Sequence, residues 1–324
     1  MRYALHGLVV ESELSLDAPE AEGNPDLRVV LGDTIGHSEE APPGRVLSER
    51  HHGEMHMWLV EQEAPTRAWR FRYSGMGDVG FDPGTGVITA HPVEESDPGI
   101  VSLLVAGSVL AHILGSRGEA VLHAAAVERH GRALAIAGPS GSGKSTIAAL
   151  LCATGASMLT DDALRVGVDG TTVPRCYPGS DVLRLRSAAE PLASAFPDSP
   201  PTRTADGRVG LKRPRPPGST LPLAAIVVPR PSRDATQLSV ERLPGPDALH
   251  ELLRCPRVGG WVAPDPSVSY LDAAAKLAEA VPAYRATVPW GPPFEPGLAE
   301  ALLAATGLAE TRRGAARHRL EPMS

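Results

Sequence analysis

The chain has 324 residues, 42% of them hydrophobic and only 4% aromatic, and a formal net charge of −7. That length fits one large domain or two smaller ones built on aliphatic packing, and the acidic balance argues against a general nucleic-acid binder. The three cysteines, Cys152, Cys176 and Cys255, show neither metal-ligand spacing nor a disulfide framework, which fits a reducing compartment.

No continuous signal-peptide core follows Met1, so the expected location is cytoplasmic. The longest apolar run, residues 100–114, is interrupted by Ser102, Gly107, Ser108 and His112. It reads as too short and too polar for a membrane span, so no membrane partner is expected.

Residues 1–95 read as a small β-rich N-terminal domain. Strand candidates lie at 8–10, 27–31, 57–60, 69–73 and 86–90, with turn-rich pieces such as 82–86 between them, and mostly antiparallel pairing is expected. Residues 69–73 alternate cleanly, so one face should be buried and one wet. The run His51-His52-Gly53-Glu54-Met55-His56 invites a metal reading. A metal needs convergent ligands, whereas neighbours on an extended chain point to opposite faces. The run therefore reads as a polar turn before the 57–60 strand.

Residues 96–324 read as a second domain of mixed strands and helices. A buried helix is expected over 100–114, a turn at 115–118 and a strand over 121–127. A hairpin centred near Arg129-His130 then sets His123 opposite Ile136, within about two residues of the glycine-rich segment at 138–146. A histidine at that strand end can act as acid, base or donor, or sit in the core bonded to backbone.

That segment is Gly138-Pro139-Ser140-Gly141-Ser142-Gly143-Lys144-Ser145-Thr146, which fits the pattern GxxxxGK[ST] without a gap. The apolar strand 133–137 precedes it, and an alanine-rich helix comes after it over 146–153, closed by Gly155. A strand, a glycine loop and a helix in that order are the context of a phosphate-binding loop. Backbone N–H groups from Gly138, Ser140, Gly141, Ser142, Gly143 and Thr146 would face phosphate oxygens, aided by the helix N-terminus. Lys144 would neutralise the β/γ-phosphates, and the Ser145 hydroxyl would ligate Mg²⁺. The implied cofactors are ATP and Mg²⁺.

Residues 156–160 read as a strand parallel to 133–137 and end at Asp161-Asp162. Ligands of open α/β sheets bind at that strand end, so both carboxylates should face the crevice of Lys144. One can hold Mg²⁺ and the other can take a proton from an attacking hydroxyl. The alternative is an Asp pair capping a turn.

Beyond this point, 168–172 reads as a hairpin turn and 182–186 as a strand with Arg184 and Arg186 on one face. Residues 187–220 read as a long loop, and 223–228 as an apolar strand. Helices are expected over 246–257, 270–281 and from 298 to about 316, with a strand at 284–288. The basic end, 311–319, reads as a solvated tail.

Leu122-His123-Ala124-Ala125-Ala126-Val127, the glycine loop, and Leu159-Thr160-Asp161-Asp162 together resemble the catalytic core of HPr serine kinases. The resemblance is closer to their shorter relatives found with lasso-peptide biosynthesis genes. It is strongest over 121–166. Tyr177-Pro178-Gly179, Leu183-Arg184-Leu185, residues 221–228 and Val281-Pro282-Ala283-Tyr284-Arg285 extend it. It implies an α/β fold with a P-loop kinase core like that of HPr kinase and ATP-dependent phosphoenolpyruvate carboxykinase.

The resemblance also implies roles: His123 catalytic, Lys144 and Ser145 on nucleotide and Mg²⁺, Asp161 the proton acceptor, and Asp162 beside it on the metal. A strand read one residue out of register would exchange the two aspartates. The later Glu-Leu-Arg-Gly-Leu-Gly type signature of HPr kinases does not occur, so HPr is not the implied acceptor. The implied activity is phosphoryl transfer to a hydroxyl, a serine of a peptide or protein such as a biosynthetic precursor peptide. A small-molecule hydroxyl kinase and a nucleotide-dependent switch are the alternatives. The later basic residue that joins the site stays open among Arg184, Arg208 and Lys212, and a homo-oligomer is compatible with the family.

Overall fold

A computed structural model describes residues 1–52, 55–63, 65, 67–94, 96–168, 172–213, 220–262 and 264–309. Gly53 and Glu54 of the histidine run, residues 169–171 of the expected hairpin turn and the basic stretch 311–319 lie outside these.

The first unit is one eight-stranded sheet. Its strands are β1 (Arg2–Leu5), β2 (Leu8–Ser12), β3 (Leu27–Leu31), β4 (Arg45–His52), β5 (Met55–Glu61), β6 (Trp69–Tyr73), β7 (Gly77–Asp82) and β8 (Val87–Pro92). They lie in the order β1-β2-β3-β8-β7-β6-β5-β4. β3 runs parallel to both its neighbours, β2 and β8, and the other pairings are antiparallel. In β6, Phe71 and Tyr73 are buried and alternate with the more exposed Arg70 and Arg72, as the pattern requires.

The expected helix is longer than its apolar run. α1 (Gly99–Leu104), a π-helical turn (Val105–Val109) and α2 (Leu110–Ser116) form one continuous rod. The rod has 18 residues and a mean hydropathy of 1.9, so by length and composition it is able to cross a membrane. The expectation that this stretch is too short and too polar is thus corrected. Its apolar side chains serve the protein interior. Ile100, Val101, Val105, Val109, Leu110 and Ile113 share a core with Leu5, Val29, Leu59, Phe71 and Ile88 of the sheet. By core membership this rod goes with residues 1–95 rather than with the second unit.

The second unit is a mixed sheet with helices on both faces. Its strands are β9 (Ala120–Leu122), β10 (Ala124–Arg129), β11 (Arg132–Ala137), β12 (Ser157–Thr160), β13 (Leu164–Gly167) and β14 (Arg175–Tyr177). β15 (Val182–Leu185), the strand expected there, forms a separate small sheet with β16 (Thr202–Arg203) and β17 (Val209–Lys212), which lie within the stretch read as a loop. β18 (Leu221–Ser232), β19 (Ser239–Arg242) and β20 (Ala283–Pro289) complete the main sheet.

Alternation divides the central strands between two cores. Leu134 and Ile136 of β11 and Val127 of β10 face α3 (Lys144–Ala153), meeting Ile147, Ala148 and Leu151. Ala133, Ala135 and Ala137 face the other side, where α4 (Gly245–Leu252) and α5 (Pro264–Ala280) contribute Leu252, Ala274 and Leu277. α6 (Leu298–Ala305) joins the α3 side through Leu298, Leu302 and Leu303. The period-two alternation of a strand is enough to produce this layering.

β10 and β11 pair with Arg129 opposite Arg132, so the turn residues are His130 and Gly131, at φ 53° and 73°. Both positive values suit a two-residue type I′ turn. The turn therefore sits one residue later than expected, which moves the register by two. His123 faces Gly138, not Ile136: the Gly138 N–H donates to the His123 carbonyl at 3.2 Å. β12 pairs antiparallel with β10, which is antiparallel to β11. β11 and β12 thus run the same way with β10 between them, and the glycine loop and Asp161-Asp162 emerge on one side.

Candidate active site

The glycine loop leaves β11 at Gly138 and enters α3 at Lys144. Gly141 and Gly143 take φ 85° and 89°, a region that costs any other residue strain. A side chain at Gly138 would strike the Ser142 hydroxyl, so this position keeps the loop tight. The Ser142 hydroxyl is buried with no hydrogen-bond partner among the described residues, and it lies on the wall of the cavity. Lys144 is buried, and its Nζ donates to the Pro139 carbonyl at 3.0 Å. Burial brings its pKa down to about 8, against the pull of Asp162 and Asp161.

β9 and β10 are broken at His123, where the chain passes from one set of strand partners to another. The break frees its backbone, and the His123 N–H donates to the Cys255 carbonyl at 2.7 Å. The His123 Nε2 lies 3.4 Å from Asp162 Oδ1. Burial lowers the imidazole pKa, with the Asp162 hydrogen bond opposing it, so the ring is neutral at pH 7.

The two aspartates diverge at once. Asp161 continues the strand inward: Ser145 Oγ donates to its Oδ1 at 2.8 Å, and the Arg184 backbone N–H donates to its Oδ2 at 3.0 Å. Asp162 takes φ 79°, which swings its carboxylate away from its neighbour's. Arg257 Nη2 reaches Asp162 Oδ2 at 2.8 Å and Arg184 Nη2 reaches it at 3.2 Å. Burial raises the Asp161 carboxyl, with Arg184 opposing. Burial would raise Asp162 too, but Arg257, the His123 hydrogen bond and Arg184 together hold it well below the usual carboxylate range. One carboxylate is therefore under-compensated and the other heavily paired. The sequence expectation set Ser145 and Asp162 together on Mg²⁺; here the Ser145 hydroxyl is bonded to Asp161.

These groups line one cavity of about 390 Å³. His123, Lys144, Ser145, Asp161 and Asp162 form its floor, together with Ser140, Gly141, Ser142, Gly143 and Thr146. Of the basic residues left open, Arg184 and Arg208 line the cavity, linked through Asp206 at 3.3 and 3.2 Å. Lys212 is exposed at the opposite end of β17 and does not line it. Arg186 closes over the loop, donating to Ser140 Oγ at 2.9 Å. The outer wall is apolar: Ile147, Leu150, Val288, Trp290 and Phe294.

Two contributors carry no local sequence signal. Arg257 belongs to the stretch expected to end a helix at 257, but α4 stops at Leu252 and the loop after it delivers the guanidinium. Gly107, in the π-helical turn, comes so close that a Cβ there would lie 3.2 Å from Arg257 Nη2 and 3.4 Å from Asp162 Oδ2. The N-terminal unit thereby walls the back of the aspartate pair.

No family model and no curated protein matches the chain.

Proposed function

We propose that this protein is an ATP-dependent phosphotransferase with a P-loop kinase core of the HPr-serine-kinase type, transferring the γ-phosphoryl group to a hydroxyl of a peptide or protein serine. One observation carries the reading. A complete glycine loop meets two carboxylates with distinct partners, Asp161 on Ser145 and Asp162 on His123, in a single cavity. A phosphate-binding site alone does not need the second pair.

The residues fit a divalent ion. The Ser145 hydroxyl and the Asp161 carboxylate are hard oxygen donors at a helix N-terminus, and among the described residues Asp161 has no side-chain ion pair. Mg²⁺ held there would supply charge neutralisation at the β- and γ-phosphates. This exchanges the roles expected from the resemblance: Asp161 serves the metal and Asp162 the proton.

The chain's own groups then divide the work. Backbone N–H groups of the loop and Lys144 bind the phosphates. Arg184 and Arg208 lie where they can meet negative charge on the transferred group. The apolar wall with Trp290 and Phe294 takes the nucleoside and excludes water. The Asp162–His123 pair receives the proton of the acceptor hydroxyl as its oxygen bonds to phosphorus and the bond to the ADP oxygen breaks. Catalysis of this kind is mostly positioning and charge stabilisation.

The test is incubation with γ-labelled ATP, Mg²⁺ and a panel of serine peptides and hydroxylated metabolites, with Lys144→Ala as control. Label on a peptide, abolished in the control, is the expected result. Label on a metabolite alone would replace the peptide acceptor with a small molecule. Tight ATP binding without transfer or turnover would overturn the kinase reading in favour of a nucleotide switch.

A further inference from the structure

The histidine run, read as a bland turn, becomes a convergent cluster once the hairpin is formed. β4 and β5 pair with His51 opposite His56 and Glu49 opposite Trp58. Residues two apart on a strand share a face, so Glu49 and His51 stand side by side with His56 across from them. The sequence argument against convergence compared neighbours along one strand; the ligands here come from two.

The geometry suits a metal. Glu49 Oε1 lies 2.8 Å from His56 Nε2 and 3.7 Å from His51 Nε2, and one ligand atom from each of the three residues falls within 4.8 Å of the others. Three donors on a tetrahedral ion with bonds of about 2.0–2.1 Å stand roughly 3.3–3.4 Å apart. The two separations from Glu49 bracket that value, so the three side chains already converge on one point. The rings are already aligned: His51 and His56 stack with centroids 3.5 Å apart, and Trp58 supports His56 from beyond at 3.5 Å. Two imidazoles and a carboxylate, open to solvent, form a set with room for a fourth ligand.

We propose that Glu49, His51 and His56 bind one first-row divalent transition ion, zinc above all, at a site separate from the nucleotide cavity. Imidazole donors favour zinc, copper or nickel over magnesium. The site clips the two strands together. It also bears on the neighbouring loop, because Ser48 and Arg50, alternating with the ligands, hold that loop from the other face. Ser48 Oγ donates to Gly259 O at 2.8 Å and Arg50 Nη1 to Arg257 O at 3.4 Å.

The experiment is calorimetric titration of metal-free full-length protein with Zn²⁺, with magnesium present and nucleotide absent. One equivalent should bind, and the melting temperature should rise. His51→Ala and Glu49→Gln should each weaken binding at least about tenfold, while Asp161→Asn should leave it unchanged. His51 is 68% exposed, so its replacement is expected to leave the fold intact, which far-UV circular dichroism checks. No zinc binding by the wild-type chain, or an isotherm unaltered by His51→Ala, would overturn the site. Loss of binding in Asp161→Asn alone would move the ion to the nucleotide cavity and overturn it as well.

Discussion

Asp161 and Asp162 are neighbours in sequence and opposites in environment. The first bonds to Ser145, and the second is clamped by Arg257, Arg184 and His123. If Asp161 serves the metal, Asp161→Asn should raise the Mg²⁺ concentration for half-maximal rate, and excess Mg²⁺ should restore part of the activity. Asp162→Asn should lower the rate by roughly 10²–10⁴-fold with no such rescue. Asn tolerates positive φ, so the fold should survive that change. A Mg²⁺ titration of both proteins reads the roles directly, and rescue of Asp162→Asn but not Asp161→Asn would exchange them. His112 offers a second residue-scale test. It is fully buried between Phe71 and Trp261, and its Nδ1 donates to the Ser108 carbonyl at 2.8 Å. Burial lowers its pKa from 6.5 to about 3. Between those values the unfolded chain binds a proton that the folded chain refuses. Its share of stability is therefore complete above pH 6.5 and declines as pH falls, by roughly 2 kcal/mol at pH 5. His112→Phe should flatten the acid side of a plot of melting temperature against pH; an unchanged slope would contradict this. At this scale the sequence revealed Lys144, Ser145 and both aspartates, because a motif and a strand end mark them. Arg257 sits 95 residues from its partner Asp162, and nothing local announces a guanidinium that acts at such a distance.

Elements were legible in proportion to how much of their pattern is local. The strand, loop and helix around Lys144 carry their own punctuation, and β11 and α3 obey it. β1 and β4 are the two edges of the first sheet, and edge strands carry polar and charged residues that discourage further pairing. Arg45-Val46-Leu47-Ser48-Glu49-Arg50 in β4 is such a sequence, so its alternation is hard to see. The hairpin register depended on one choice, whether Arg129-His130 or His130-Gly131 makes the turn, and a one-residue shift of a turn moves its pairs by two. The π-helical turn at Val105–Val109 is invisible to a 3.6-residue pattern; such turns are frequent at functional sites. Here it brings Gly107 against Arg257 and Asp162. On propensity alone, Gly107→Ala should stabilise a helix by up to about 1 kcal/mol. The added Cβ would, however, press on the Arg257 guanidinium at 3.2 Å. The expected outcome is an unchanged or raised melting temperature, a lowered kcat and an unchanged KM for ATP. Wild-type kcat in that protein would mean the close approach has no part in transfer.

At the scale of the molecule, the boundary expected at residues 95 and 96 falls on the wrong side of the rod 99–116. Ile100, Val101, Val105, Val109, Leu110 and Ile113 complete the core whose other wall is the first sheet, including Phe71 and Ile88. Composition placed the rod with the second unit because it is helical and the preceding chain is β-rich; burial is decided by partners, which composition does not name. Fully burying one large aliphatic side chain contributes roughly 1.5–3 kcal/mol, so these six amount to about 10 kcal/mol or more. A domain's entire net stability is about 5–15 kcal/mol. A fragment of residues 1–95 therefore loses about as much as it has and leaves an apolar sheet face in water. A fragment of residues 1–116 keeps the sheet and the rod together and gives up smaller contacts with the second unit: Ala111 and Leu114 with Val121, Ala163 and Val258, Trp261 against the core, and Ser48 and Arg50 with the loop at 257–259. The longer fragment should melt cooperatively by circular dichroism. The shorter one should melt without a transition, bind a hydrophobic dye, or fail to stay in solution. Cooperative melting of both at similar temperatures would show that the sheet is stable without the rod. Gly107 would then be held beside Asp162 by the second unit itself, and the N-terminal unit would have no structural claim on the site.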